Sequence, residues 1–208
     1  MQKLRLFWAV NLPLEIRKKL FSAGERLREA GADAKWVEEN NLHLTVKFLG
    51  DADQGMVERI AQSAAGRLRG FGKFSLDLKG TGFFPGARSP KVLWVGLGGD
   101  VNKLRALALT LEEAMESLGF PGEGRKFSPH LTLARIRSPR NVDRLAGLVQ
   151  PGAAGIRRPG GLYGGVGGTD VQHAGPLRPD IPAGCVRKAG IRTSLREAAV
   201  FFNCLSYI

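Results

Sequence analysis

Two short segments of this 208-residue chain carry the same pattern of reactive groups, His43-Leu-Thr45 and His130-Leu-Thr132. In a β-strand, residues i and i+2 project from the same face, so each segment places an imidazole beside a hydroxyl. An imidazole, with a pKa near 6.5, gives or takes a proton at neutral pH. Two of them can divide the work of displacement at phosphorus, one taking a proton from the incoming oxygen and the other protonating the departing one. The threonine hydroxyls can donate to the non-bridging oxygens, each worth on the order of 2 to 4 kcal/mol in the transition state. The set His43, His130, Thr45 and Thr132 is thus suited to phosphodiester chemistry without a metal.

A single histidine on a strand is most simply a polar filler between strands, and the duplication argues against that reading here. NLHLTVKFL, residues 41–49, aligns without gaps on SPHLTLARI, residues 128–136. His130 follows His43 by 87 residues, too far for a solenoid repeat and about right for two small lobes of one domain. The chain has a third histidine, His173, so a three-histidine metal site is formally available. No carboxylate lies directly beside either motif, however, and threonine is a poor zinc ligand, so no metal is expected. The glycine-rich GGLYGGVGG lacks the Lys-Ser/Thr ending of a phosphate loop and is a weak signal.

Strands and helices must alternate to hold these segments. KLRLFWAVN reads as a strand, and Pro13 opens a helix with Ile16, Leu20, Ala23 and Leu27 on one face, ended by Gly31. In residues 41–50, Leu42, Leu44 and Val46 alternate with His43, Thr45 and Lys47, which predicts a half-buried strand with a polar face. Asp53 is positioned to cap a helix carrying Val57, Ile60, Ala64 and Leu68 inward. Two strands follow, FSLDLKGTGFFP and PKVLWVGLG, separated by a turn at residues 86–90. Asp100 is then expected to cap a helix whose inner face is Leu104, Leu107, Leu111, Met115 and Leu118. FSPHLTLARI is the next strand, and Pro139 opens a helix through Leu145 and Leu148. The class is α+β.

A 43% hydrophobic content is that of a chain with a buried core, and no window approaches the roughly 18 apolar residues of a membrane span. Membrane association is therefore not expected, and a cytoplasmic protein is. The net charge of +12 attracts polyanions, RNA among them. The two cysteines, Cys185 and Cys204, both lie beyond residue 150, so no disulfide framework or cysteine zinc site serves the earlier region.

RLFWAVNLP, HLTVKFLG, GTGFFP with PKVLWVGL, and FSPHLTLAR resemble, in order and spacing, the 2H phosphoesterases. Within that superfamily they are most similar to the RNA 2′,3′-cyclic phosphodiesterases, historically called 2′-5′ RNA ligases. The resemblance covers about residues 1–150. It implies a bilobal, pseudo-twofold α+β fold, with two mainly antiparallel sheets flanking a central cleft and helices outside. It also implies His43 as proton donor, His130 as proton acceptor, Thr45 and Thr132 holding phosphate, and no cofactor. The implied reaction is hydrolysis of a terminal 2′,3′-cyclic phosphate of RNA to a 2′-phosphate, with a reversible 2′-5′ joining activity; a monomer is expected. Two other functions fit the same residues: a 2H enzyme acting on a small cyclic phosphate, and an RNA-binding module without turnover.

Residues 151–208 depart from that pattern. Their 11 glycines and 5 prolines leave few periodic apolar positions, where the family ends in a strand and a motif like S-x-L-x-P-x-G-P-x-Y. Read one base later, the codons of Gln172–Ile181 permit Ser, Thr, Leu, Gly, Pro, Ser, Gly, Pro, Thr and Tyr in turn, and Val166–Val171 becomes a strand such as Trp-Glu-Glu-Leu-Met-Cys. A frameshift between about Gln150 and Ile156 is expected. The tail should then be poorly ordered, with no regular strand at 160–168, and the sheet it normally completes should keep an unpaired edge.

Overall fold

The computed structural model describes residues 3–72, 74–149, 189–190 and 200–205, the last two segments by their backbone. Within residues 3–149 the order is β1 (Lys3–Asn11), α1 (Leu14–Arg28), β2 (Ala34–Trp36), β3 (His43–Asp53), α2 (Val57–Arg67), β4 (Leu76–Phe84), β5 (Val92–Gly99), α3 (Val101–Glu116), β6 (His130–Ile136) and α4 (Val142–Leu148). β7 (Ala189–Gly190) and β8 (Val200–Leu205) follow. They form two four-stranded antiparallel sheets, β3-β1-β8-β7 and β2-β6-β5-β4.

The repeat is larger than the two His-x-Thr segments. β1-α1-β3-α2 recurs as β5-α3-β6-α4, with a motif strand third in each unit. The first helix of each unit crosses to the other sheet. α1 leaves β1 and packs on β6 and α4, while α3 leaves β5 and packs on β3 and α2. Trp8 of β1, fully buried, donates its indole N–H to Met115 Sδ of α3 at 3.3 Å. Each sheet therefore buries its apolar face under helices delivered partly by the other lobe, and one continuous core runs through both.

Several local expectations change. Asp100 meets α3 through its carbonyl, which accepts from Lys103 N and Leu104 N, and gives the helix no side-chain cap; its carboxylate accepts from Ser75 N at 3.1 Å and fastens the start of β4. Asp53 ends β3, a 3-10 turn intervenes, and α2 starts from Met56 with no side-chain cap. Gly24, and not Ala23, completes the buried face of α1, because the Trp36 ring of the unforeseen strand β2 lies against it.

The largest change is at Lys47. It shares the polar face of His43 in a regular strand, yet it is only 1% exposed. The register passes from Ala9↔Thr45 to Trp8↔Lys47, which leaves Val46 unpaired. This bulge turns Lys47 inward and Phe48 outward, to 52% exposure. The buried ammonium meets Glu112 Oε2 of α3 at 2.9 Å and donates to Pro121 O at 3.3 Å. Glu112 Oε1 accepts from Glu123 N, and Glu123 Oε1 accepts from Phe48 N at 3.1 Å, so the circuit closes on β3.

The outer edge of β1 pairs with β8, Arg5↔Leu205 through Val10↔Val200, where an unpaired edge was expected. Cys204 stands opposite Leu6 in that ladder. The expectations for residues 160–168, His173 and Cys185 lie outside the described residues.

Candidate active site

β3 begins at His43 and β6 at His130, and the two strands approach each other where the lobes meet. The turn Glu39–Asn41 delivers the chain to His43 and is tied on both sides. Asn41 Nδ2 donates to Glu38 Oε2 at 3.3 Å, and Arg17 of α1 reaches Asn40 Oδ1 at 3.5 Å. The turn thereby fixes the carbonyl of Asn41, which lies 2.6 Å from His43 Nδ1. His130 repeats the contact, with Nδ1 2.7 Å from the carbonyl of Ser128. A carbonyl oxygen only accepts, so in both rings Nδ1 is the protonated nitrogen and Nε2 is left for a reacting group.

Each ring also rests on an aromatic side chain. Phe7 lies 4.8 Å from His43 at a tilt of 32°, and Phe84 meets His130 edge-on at 5.0 Å. Burial lowers the pKa of His43 below the ordinary 6.5, against the upward pull of its bond to Asn41. Thr45 and Thr132 are half-buried on the faces of their histidines, and among the described residues neither hydroxyl has a hydrogen-bond partner. Both are therefore open to an anionic ligand.

The second motif carries a bulge like the first. The register moves from Trp94↔Thr132 to Leu93↔Ala134 and leaves Leu133 unpaired, so Arg135 emerges on the face of Thr132. Arg135 is exposed beside Lys35 of β2, and the pair puts positive charge on that face. Arg135 and Phe48 are equivalent positions in the gapless alignment of the two repeats. That alignment was the available signal for both, but strict alternation hid it. Among the described residues, no group of three or more His, Cys, Asp and Glu side chains is placed to hold a metal, and no helix is long and apolar enough to cross a membrane.

A two-lobed α+β fold with a His-x-Thr strand in each lobe is the signature of the 2H phosphoesterases. The LigT like Phosphoesterase family matches residues 10–94, which include the first motif. The RNA 2′,3′-cyclic phosphodiesterase of Methanothermobacter thermautotrophicus is 37% identical over 147 residues, 71% of this chain and 79% of that protein. The crystal structure of TT0787 of Thermus thermophilus superposes with a TM-score of 0.62 at 26% identity, covering 96% of this chain and 97% of that one. Escherichia coli LigT complexed with 3′-AMP gives a TM-score of 0.55 at 29% identity over 67% of this chain and 76% of that one. The chain belongs to the 2H phosphoesterases, in the family of the RNA 2′,3′-cyclic phosphodiesterases.

Proposed function

We propose that this enzyme hydrolyses the terminal 2′,3′-cyclic phosphate of RNA to a 2′-phosphate by acid/base catalysis between His43 and His130, with residues 1–150 as the catalytic unit. The observation that carries this reading is the repeated geometry: two imidazoles, each with Nδ1–H tied to the carbonyl two residues earlier and each beside a threonine. His130 Nε2 takes a proton from water as its oxygen bonds to phosphorus. The bond from phosphorus to O3′ breaks, and His43 Nε2 gives that oxygen its proton. Thr45 and Thr132 donate to the non-bridging oxygens, where charge accumulates. With an RNA 5′-hydroxyl in place of water, the same proton transfers join two ends in a 2′-5′ linkage, and the reverse step cleaves it.

The names of the relatives support RNA as substrate, and a net charge of +12 suits a polyanion. The test is hydrolysis of an oligonucleotide ending in a 2′,3′-cyclic phosphate, run beside a cyclic mononucleotide and with EDTA. The oligonucleotide should be the better substrate, and EDTA should leave the rate unchanged. Faster turnover of the mononucleotide would move the enzyme to small cyclic phosphates. Loss of activity on chelation with recovery on added zinc would refute the metal-free mechanism.

Thr45→Val and Thr132→Val remove a hydroxyl at nearly constant volume. Each should lower kcat by about 30-fold or more with little change in melting temperature, because the donor acts mainly on charge developing in the transition state. Wild-type kinetics in both variants would take the threonines out of the site.

A further inference from the structure

We propose that Glu123 is a positioning residue that, with Lys47 and Glu112, sets the place of His130 relative to His43, an inference that rests on the activity proposed above. Phe48 stands five residues after His43 on β3, and Glu123 stands seven residues before His130. β3 is the edge strand of its sheet, and the Phe48 amide donates to the Glu123 carboxylate at 3.1 Å. That bond runs from the strand that carries the proposed acid to the segment that delivers the proposed base. The two motif strands belong to different sheets, so the bond ties one lobe to the other.

The delivering segment has few other ties. Residues 117–129 join α3 to β6 without a helix or strand, and the stretch from Pro121 to Lys126 is exposed. Its apolar anchors, Phe120 and Phe127, lie on either side of that stretch. Among the described residues, the stretch makes three hydrogen bonds: Pro121 O accepts from Lys47, Glu123 N donates to Glu112 Oε1, and Glu123 Oε1 accepts from Phe48 N. Gly122 lies so close to α3 that a Cβ there would meet the carboxylates of Glu112 and Glu116. An exposed stretch with few bonds opens locally at small cost once those bonds are lost. Farther along, the segment carries Ser128, whose carbonyl accepts from His130 Nδ1. A slack segment would therefore move both the ring and the group that orients it.

Stability alone does not account for charge at this place. Two apolar side chains of similar volume at 47 and 112 would hold β3 on α3 about as well as an ion pair with a buried lysine. They could not donate to Pro121 O or accept from Glu123 N, however, and the segment would lose its register. Proton transfer between two imidazoles and one phosphate depends on placement to within about 1 Å, so a register device beside the site has a catalytic use. Glu123 itself is exposed, and replacing it should change stability little.

Steady-state kinetics on the cyclic-phosphate oligonucleotide and nitrogen NMR of the His130 ring test this together. Glu123→Ala should lower kcat by about tenfold, with KM within about twofold and the melting temperature little changed, and the ring should pass from a single Nδ1–H tautomer to a mixture. Glu123→Gln keeps an acceptor for Phe48 N and should restore most of the rate and the tautomer. Lys47→Met with Glu112→Leu should lose about tenfold in kcat even where its stability is recovered, since Glu123 N is left untied. Wild-type kcat, a loss confined to KM, or an unchanged tautomer in Glu123→Ala would overturn the proposal. An equal loss in Glu123→Gln would do so as well, since it would point to charge and not to the bond with Phe48. Because the tautomer is read without turnover, a wild-type protein that hydrolyses no cyclic phosphate, yet whose His130 tautomer shifts in Glu123→Ala, would refute the proposed activity and leave the positioning role standing.

Discussion

Replacing either His43 or His130 by alanine should lower hydrolysis of a 2′,3′-cyclic-phosphate RNA by about 100-fold or more, because under the proposed mechanism each removes one of two distinct proton transfers. The double variant should be little worse than the weaker single one, since the two groups act on one transition state. The pH profile of kcat/KM should be bell-shaped. His43 as donor must be protonated, so the rate falls as pH rises through its pKa, and burial places that limb below 6.5 in the free enzyme. A bound phosphodiester anion beside His43 favours the imidazolium, so the corresponding limb of kcat should lie at higher pH. Full activity in His130→Ala would end the two-histidine scheme. A kcat/KM limb assigned to His43 that rests well above 6.5, and vanishes in His43→Ala, would show that the ring is better solvated than its burial implies.

Lys47→Ala should cost about 3 to 5 kcal/mol of stability, a large share of the roughly 5 to 15 kcal/mol typical of a folded domain. The loss exceeds that of an ordinary lysine because Glu112 would keep a partly buried carboxylate without its cation, and Pro121 O would lose its donor. Denaturant unfolding of the full chain measures it. Lys47→Met paired with Glu112→Leu should recover part of the loss, since removing both charges removes the unpaired one. A change under about 1 kcal/mol in Lys47→Ala would mean that water reaches the ammonium and the circuit through Glu123 is not a buried one.

The sequence alone determined most of the elements of the fold, and it singled out the four residues of the proposed site. Helical faces such as Leu104, Leu107 and Leu111, and the alternation around His43 and His130, are local signals, because 3.6-residue and 2-residue periods register burial directly. The gapless repeat of the two motifs added what periodicity cannot, a reason to pair two histidines distant in the chain. Only the tertiary structure decided what happens after each threonine. The bulges at Val46 and Leu133 are set by register against β1 and β5, and they reverse the alternation, burying Lys47 and bringing out Phe48 and Arg135. The exchange of α1 and α3 between lobes, and the ion pair of Lys47 with Glu112, were equally out of reach. Each depends on a partner strand or helix far along the chain, and no local pattern of residues encodes that partner.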